Sequence, residues 1–170
     1  MGRLEDVLVE RLLETTPTYK RDVMEDTIRL LLGAERLETV TGLPARRGGA
    51  DGGIDGVLFT SGSSNALTTS RTALNIKVRE SDFSREQLGG FLLDMDREGI
   101  TCGVIVTAAS LSPDAAVELA RKNRSGAVVL HHLRLADLLS GELGSSVLYI
   151  NDIHVTETLN RRLREILEQP

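Results

Sequence analysis

The amino-acid sequence predicts an α/β fold in which a mixed central sheet is flanked by helices. Three observations carry that reading. The N-terminal third begins with apolar residues at helical spacing. The middle holds short alternating segments rich in strand formers, set off by glycine- and serine-rich loops. From Phe83 onward, helix-like segments alternate with continuous apolar runs, the order that builds parallel β-α-β crossovers.

Taken in order, Arg3–Glu14 carries an apolar stripe at Leu4, Val7, Leu8 and Leu12, and "TTPT" then interrupts it. "YKRDVMEDTIRLLLG" predicts a second helix with Val23, Met24, Ile28, Leu31 and Leu32 inward and Gly33 as its stop. "RLETVTGL" reads as a short strand, and after the glycine-rich stretch "GIDGVLFT" reads as another. "SGSSNALTTSR" has the composition of a hairpin loop, and "TALNIKVRE" alternates like a strand. "FSREQLGGFLLDMDREG" is helical in pattern despite its central glycines, and "TCGVIVTAA" is a strand buried on both faces. "SPDAAVELARKN" starts with a serine N-cap and a proline at the first helical position. "GAVVLHH" reads as a further buried strand, "LRLADLLS" as a short helix and "VTETLNRRLREILEQ" as a closing amphipathic helix. The expected organisation is one domain over 1–170. Residues 1–18 form an N-terminal helix, 19–140 the core, and 141–170 a C-terminal strand and helix.

Composition narrows the function. Hydrophobic residues make up 41% and charged residues 26%, ordinary values for a soluble globular chain. Aromatics are 3%, so the core rests on Leu, Val, Ile and Ala, and base-stacking platforms are disfavoured. Cys102 is the single cysteine, which excludes an internal disulfide and cysteine-based zinc sites and fits a reducing cytosol. No apolar run approaches the roughly 20 residues of a membrane span, and "MGRLEDVLVE" lacks the pattern of a signal peptide. A cytoplasmic protein with no membrane partner is expected. The net charge of −5 means that nucleic-acid contacts must come from local patches. Candidates are Lys20–Arg21, Arg46–Arg47, Lys77 with Arg79, Arg121–Lys122 with Arg124, and Arg161–Arg162 with Arg164; each alone reads as a solvated face.

The chemistry concentrates around "ARRGGADGGIDGVLF", Ala45–Phe59. Asp55 stands at a strand start, and "LNIKV" puts Asn75 and Lys77 on one face of the next strand with Ile76 turned to the core. Pairing of the two strands brings a carboxylate, an amide oxygen and an ammonium together. That set suits metal-assisted phosphodiester hydrolysis: Asp55, Asn75 and the Ile76 carbonyl offer oxygens to a hard divalent cation, and Lys77 assists the water or offsets phosphate charge. The blander readings are a turn for Asp51 and Asp55, and an edge-strand guard against aggregation for Lys77. The stretch precedes a strand, so it is not a dinucleotide-binding loop. His131, His132 and His154 show no metal or triad spacing, and Ser110 and Ser112 read as helix caps.

"GGADGGIDGVLF", then "LNIKVRE", a helix and "GVIVTAASLSPDAAVELA", with "VVLHHLRLADLL" behind them, resemble the Mrr-like branch of the PD-(D/E)xK nuclease superfamily over residues 19 to 140. The resemblance implies a restriction-endonuclease-like fold and a metal-dependent DNA endonuclease of the restriction and defence type, using Mg²⁺ or Mn²⁺. Asp55 then matches the metal-binding aspartate and Lys77 the catalytic lysine, while Asn75 stands where the family has Gln or Glu. An early helix in such folds often adds a glutamate; Glu25 fits best, with Asp26 and Asp22 as rivals. Asp51 matches an auxiliary loop aspartate. Arg46, Arg47 and Arg79 are placed to meet phosphates. The expected partner is DNA, in a homodimer or as a subunit or domain of a larger defence protein. Asn75 removes a charge from the site, so a catalytically inactive module of this fold that binds nucleic acid or a partner protein is the alternative. A regulatory subunit without nucleic-acid contact is the second.

Overall fold

The computed structural model describes residues 4–36, 53–61, 69–140, 161, 164 and 165. A sheet in the order β1-β2-β3-β4 forms its centre. Strands β1 (Gly56–Ser61) and β2 (Thr69–Lys77) pair antiparallel, with Gly56 opposite Leu74 and Ser61 opposite Thr69. β3 (Cys102–Thr107) and β4 (Val129–Arg134) then add in parallel. The mixed sheet read from the sequence is therefore present.

Helices cover both faces. On one side lie α1 (Leu4–Leu13), a π turn (Tyr19–Val23) that runs into α2 (Met24–Leu32), and α5 (Leu135–Ser140). Leu8, Leu12, Met24, Ile28 and Leu31 from these helices close over Leu58, Leu74, Ile76, Val104 and Val106. On the other side, α3 (Arg85–Arg97) sends Leu88, Phe91 and Met95 against Ala73, Ile105 and Leu130, beside α4 (Pro113–Ser125). This two-sided cover explains the continuous apolar run of β3, whose residues from Gly103 to Thr107 are all buried. At Gly103 the cover is so close that a Cβ would lie 2.9 Å from Met95 Sδ.

Local signals set the helix ends. Ser84 and Gln87 form a capping box at the start of α3. Ser112 caps α4 ahead of Pro113, as expected from the sequence. Gly33 ends α2 in the left-handed region at φ 69°, where a side chain would be strained.

Several boundaries differ from the sequence reading. β2 begins at Thr69 and not at Thr72, because strand pairing with β1 extends over the polar Thr69, Ser70 and Arg71. β4 starts at Val129 and reaches Arg134. It lies at the end of the strand order, with Val129 and His131 exposed, so it is not buried on both faces. The second helix opens with a wide π turn, which apolar spacing does not encode. Ser110 is not a cap; its carbonyl accepts from the Phe83 N–H at 2.9 Å. From the expected strand at 36–43, residues 37–43 lie outside the described residues; Glu35, just before it, bridges Val57. Most of the expected C-terminal strand and helix also lies outside them. Residues 161, 164 and 165 are helical, and Glu165 accepts from the Tyr19 hydroxyl at 2.9 Å. No described helix is long and apolar enough to cross a membrane.

Candidate active site

The site forms where β1 begins, beside the end of β2. The Asp55 N–H donates to the Leu74 carbonyl at 2.7 Å, and Asp55 Oδ2 accepts the Ile76 N–H at 2.7 Å. The carboxylate thus continues the strand ladder by one step and is held in a single orientation. Within a strand the N–H and C=O of one residue point the same way, so the Ile76 carbonyl faces the Asp55 side too.

Asn75 alternates to the opposite face from Leu74 and Ile76, toward α3. Its side chain is fully buried. The amide Nδ2 donates to the Gly53 carbonyl at 2.8 Å, whereas Asn75 Oδ1 has no hydrogen-bond partner. Buried acceptors without partners are rare and costly, on the order of 1–3 kcal/mol. An oxygen in this state, close to the Asp55 loop, fits the ligand demands of a hard cation.

Glu25 comes from the first turn of α2. Burial, with the Asp55 charge next, pushes its carboxyl up to about 7, against the opposing pull of Arg29 and Lys77. Glu25, Asp55 and Lys77 therefore share one electrostatic neighbourhood. The rivals on that helix are engaged elsewhere. Asp26 is more than half exposed and ion-paired with Arg29 and Arg36, and Asp22 pairs with Arg21 at 3.0 Å on the surface. Lys77 lines a cleft of about 270 Å³ with Glu25, Ile76 and Arg79.

Arg29 was not singled out from the sequence, where it reads as one basic residue in an amphipathic helix. It is 7% exposed. Its Nη1 donates to the Asp55 carbonyl at 2.9 Å and lies 3.6 Å from Glu25 Oε2. Gly56 leaves the room: a Cβ there would sit 3.3 Å from Arg29 Cγ. The only sequence signal was an arginine four residues after Glu25.

Arg46, Arg47 and Asp51 lie outside the described residues. Among the described residues, no group of three or more His, Cys, Asp or Glu side chains is arranged to hold a metal ion. The oxygens that the described residues gather here are the carboxylates of Asp55 and Glu25 with neighbouring amide and carbonyl groups. Of the described histidines, His132 Nε2 lies 2.7 Å from Thr107 Oγ1, and its pKa is held below the usual value by burial and then by Arg134.

The restriction endonuclease family model Mrr_cat matches residues 20–139. Among solved structures, the fold is similar to the DNA modification-dependent restriction endonuclease AspBHI. The TM-score is 0.56 at 21% identity, covering 98% of this chain and 41% of that one. It is also similar to the MspJI restriction endonuclease in complex with a 27-mer oligonucleotide. Here the TM-score is 0.55 at 18% identity, covering 97% of this chain and 36% of that one. The chain thus spans about two fifths of the length of these proteins, and at such identity the likeness is one of fold. No curated protein matches the sequence significantly.

Proposed function

The chain belongs to the Mrr_cat restriction endonuclease family, whose model matches residues 20–139, and on that premise we propose that it is a divalent-metal-dependent DNA endonuclease. The observation that carries the proposal is the shared electrostatic neighbourhood of Glu25, Asp55 and Lys77 at one end of β2.

In this reading Asp55, Glu25, Asn75 Oδ1 and the Ile76 carbonyl hold a Mg²⁺ or Mn²⁺ ion. When bound, such an ion polarises the phosphate and lowers the pKa of water. Asp55 is pre-aimed by the Ile76 N–H, so little reorganisation is needed to present its carboxylate. Glu25, protonated more readily than an ordinary glutamate, would release its proton to solvent to serve as a ligand. Lys77 orients the attacking water or offsets charge on the phosphate. Arg79, with Arg46 and Arg47, supplies phosphate contacts. Cutting two strands takes two such centres, which accords with a homodimer or with a place in a larger defence protein.

The test is cleavage of supercoiled plasmid with Mg²⁺ and with Mn²⁺ by wild type, Asp55→Ala and Lys77→Ala. Nicking by wild type that both substitutions abolish is expected. A folded wild type that never nicks selects the second reading, an inactive module that binds nucleic acid or a partner protein. That reading draws on Asn75, which is uncharged where the site needs negative charge, and on the net charge of −5.

A further inference from the structure

The cleft beside Lys77 continues past the reacting groups to the π turn, and there it is lined by Lys20 and Arg21. A π turn closes from residue i to i+5, and the Met24 N–H does bond to the Tyr19 carbonyl. Lys20 and Arg21 stand in this turn, five and four residues before Glu25, and both line one cleft with it.

Both cations are held there. Lys20 Nζ donates to the Leu13 carbonyl at 3.1 Å, which spends one of an ammonium's three hydrogens. Arg21 Nε pairs with Asp22 at 3.0 Å, with both side chains well exposed, a pair worth little in water and open to competition. Lys77 and Arg79 line it as well, and among the described residues the one carboxylate in the lining is Glu25. Among the described residues no aromatic side chain lines the cleft, so those residues offer a base nothing to stack on. Its volume of about 270 Å³ is below the range usual for small-molecule pockets.

We propose that this cleft seats a backbone phosphate of the substrate DNA strand, adjoining the phosphate that is cut, with Lys20 and Arg21 as its grip. Four to five helical residues, about 6–8 Å of rise, separate the grip from Glu25, the scale of two nucleotide steps along a strand. The inference rests on the nuclease reading above and adds to it the path of the strand. It also explains how a chain of net charge −5 meets a polyanion: the positive charge is concentrated where the strand must lie.

The test is fluorescence anisotropy of a labelled DNA duplex with the full chain in calcium, over a range of salt. Wild type is compared with Arg21→Gln, Arg21→Lys and the Lys20→Gln/Arg21→Gln pair, alongside Mn²⁺ binding by each. The expected result for the pair is roughly tenfold weaker binding at low salt. The slope of log K against log salt should also be shallower by about 1, irrespective of sequence. Mn²⁺ affinity stays unchanged, and Arg21→Lys keeps the wild-type slope. Arg21→Gln alters an exposed side chain and keeps the test open if loss of the Lys20 bond to Leu13 melts the pair. An unaltered slope in Arg21→Gln and in the Lys20→Gln/Arg21→Gln pair, with wild type binding DNA, overturns the phosphate seat and leaves the nuclease reading standing. Failure of wild type itself to bind DNA overturns both.

Discussion

Arg29 Nη1 donates to the main-chain carbonyl of Asp55 at 2.9 Å, tying the helix that carries Glu25 to the strand start that carries Asp55. The guanidinium is buried and also pairs with Glu25 and Asp26. One side chain therefore sets the spacing of both carboxylates in the proposed site.

Removing that tie should cost stability and metal affinity together. Arg29→Met leaves the Asp55 carbonyl and Glu25 without their cation, and the expected loss is about 2–4 kcal/mol, less than for a fully buried pair because Asp26 is half exposed. Urea denaturation measures the first effect and Mn²⁺ titration the second. Wild-type stability in Arg29→Met would remove the positioning role.

Glu25 should make the metal-free protein less stable as pH rises. Its folded carboxyl titrates near 7, against an ordinary 4.5. A pKa raised on folding contributes stability below about pH 4.5 that is lost as pH rises through 7, of order 3 kcal/mol at about 1.4 kcal/mol per unit. Denaturation midpoints across pH should show this decline in wild type and not in Glu25→Gln. A divalent cation should reverse it in wild type alone.

Asp55 has two separable duties. Asp55→Asn keeps an oxygen for the Ile76 N–H, so its melting temperature should stay near that of wild type while nicking falls at least ~100-fold. Asp55→Ala loses the bond as well and should be destabilised by about 1–2 kcal/mol. Paired melting and plasmid assays separate the two.

Asn75 decides which gain-of-charge variant is informative. The side chain is fully buried, so Asn75→Glu adds a methylene to a filled site at a cost of about 1–3 kcal/mol. Asn75→Asp matches the volume. It should tighten Mn²⁺ binding about tenfold while lowering metal-free stability, since it places an unpaired carboxylate indoors. Calorimetric titration reads the affinity.

Gly103→Ala serves as a fold control away from the site. Its Cβ would meet Met95 Sδ at 2.9 Å and Phe91 Cε2 at 3.0 Å. Destabilisation by about 1–3 kcal/mol with unchanged Mn²⁺ affinity is expected.

Local order was legible in the sequence because its causes are local. Apolar spacing placed α1 and α2, Ser112–Pro113 marked the start of α4, Gly33 marked a helix end, and the unbroken apolar run of β3 announced a strand covered on both faces. The pairing of the Asp55 strand with the Lys77 strand could be read as well, since a short polar loop between two strand-forming segments favours a hairpin. The family resemblance rested on the same segments.

What the sequence by itself determined, then, was the order and type of elements and the strand ends that carry Asp55, Asn75 and Lys77. The tertiary structure alone decided which helix carboxylate faces them, that Arg29 bridges Glu25 to the Asp55 carbonyl, that Asn75 is buried with an unpartnered oxygen, and that Lys20 and Arg21 line one cleft with Glu25. Periodicity reports which face of an element is apolar. It carries no record of which polar group from another element arrives there, because that depends on packing between residues distant in the chain.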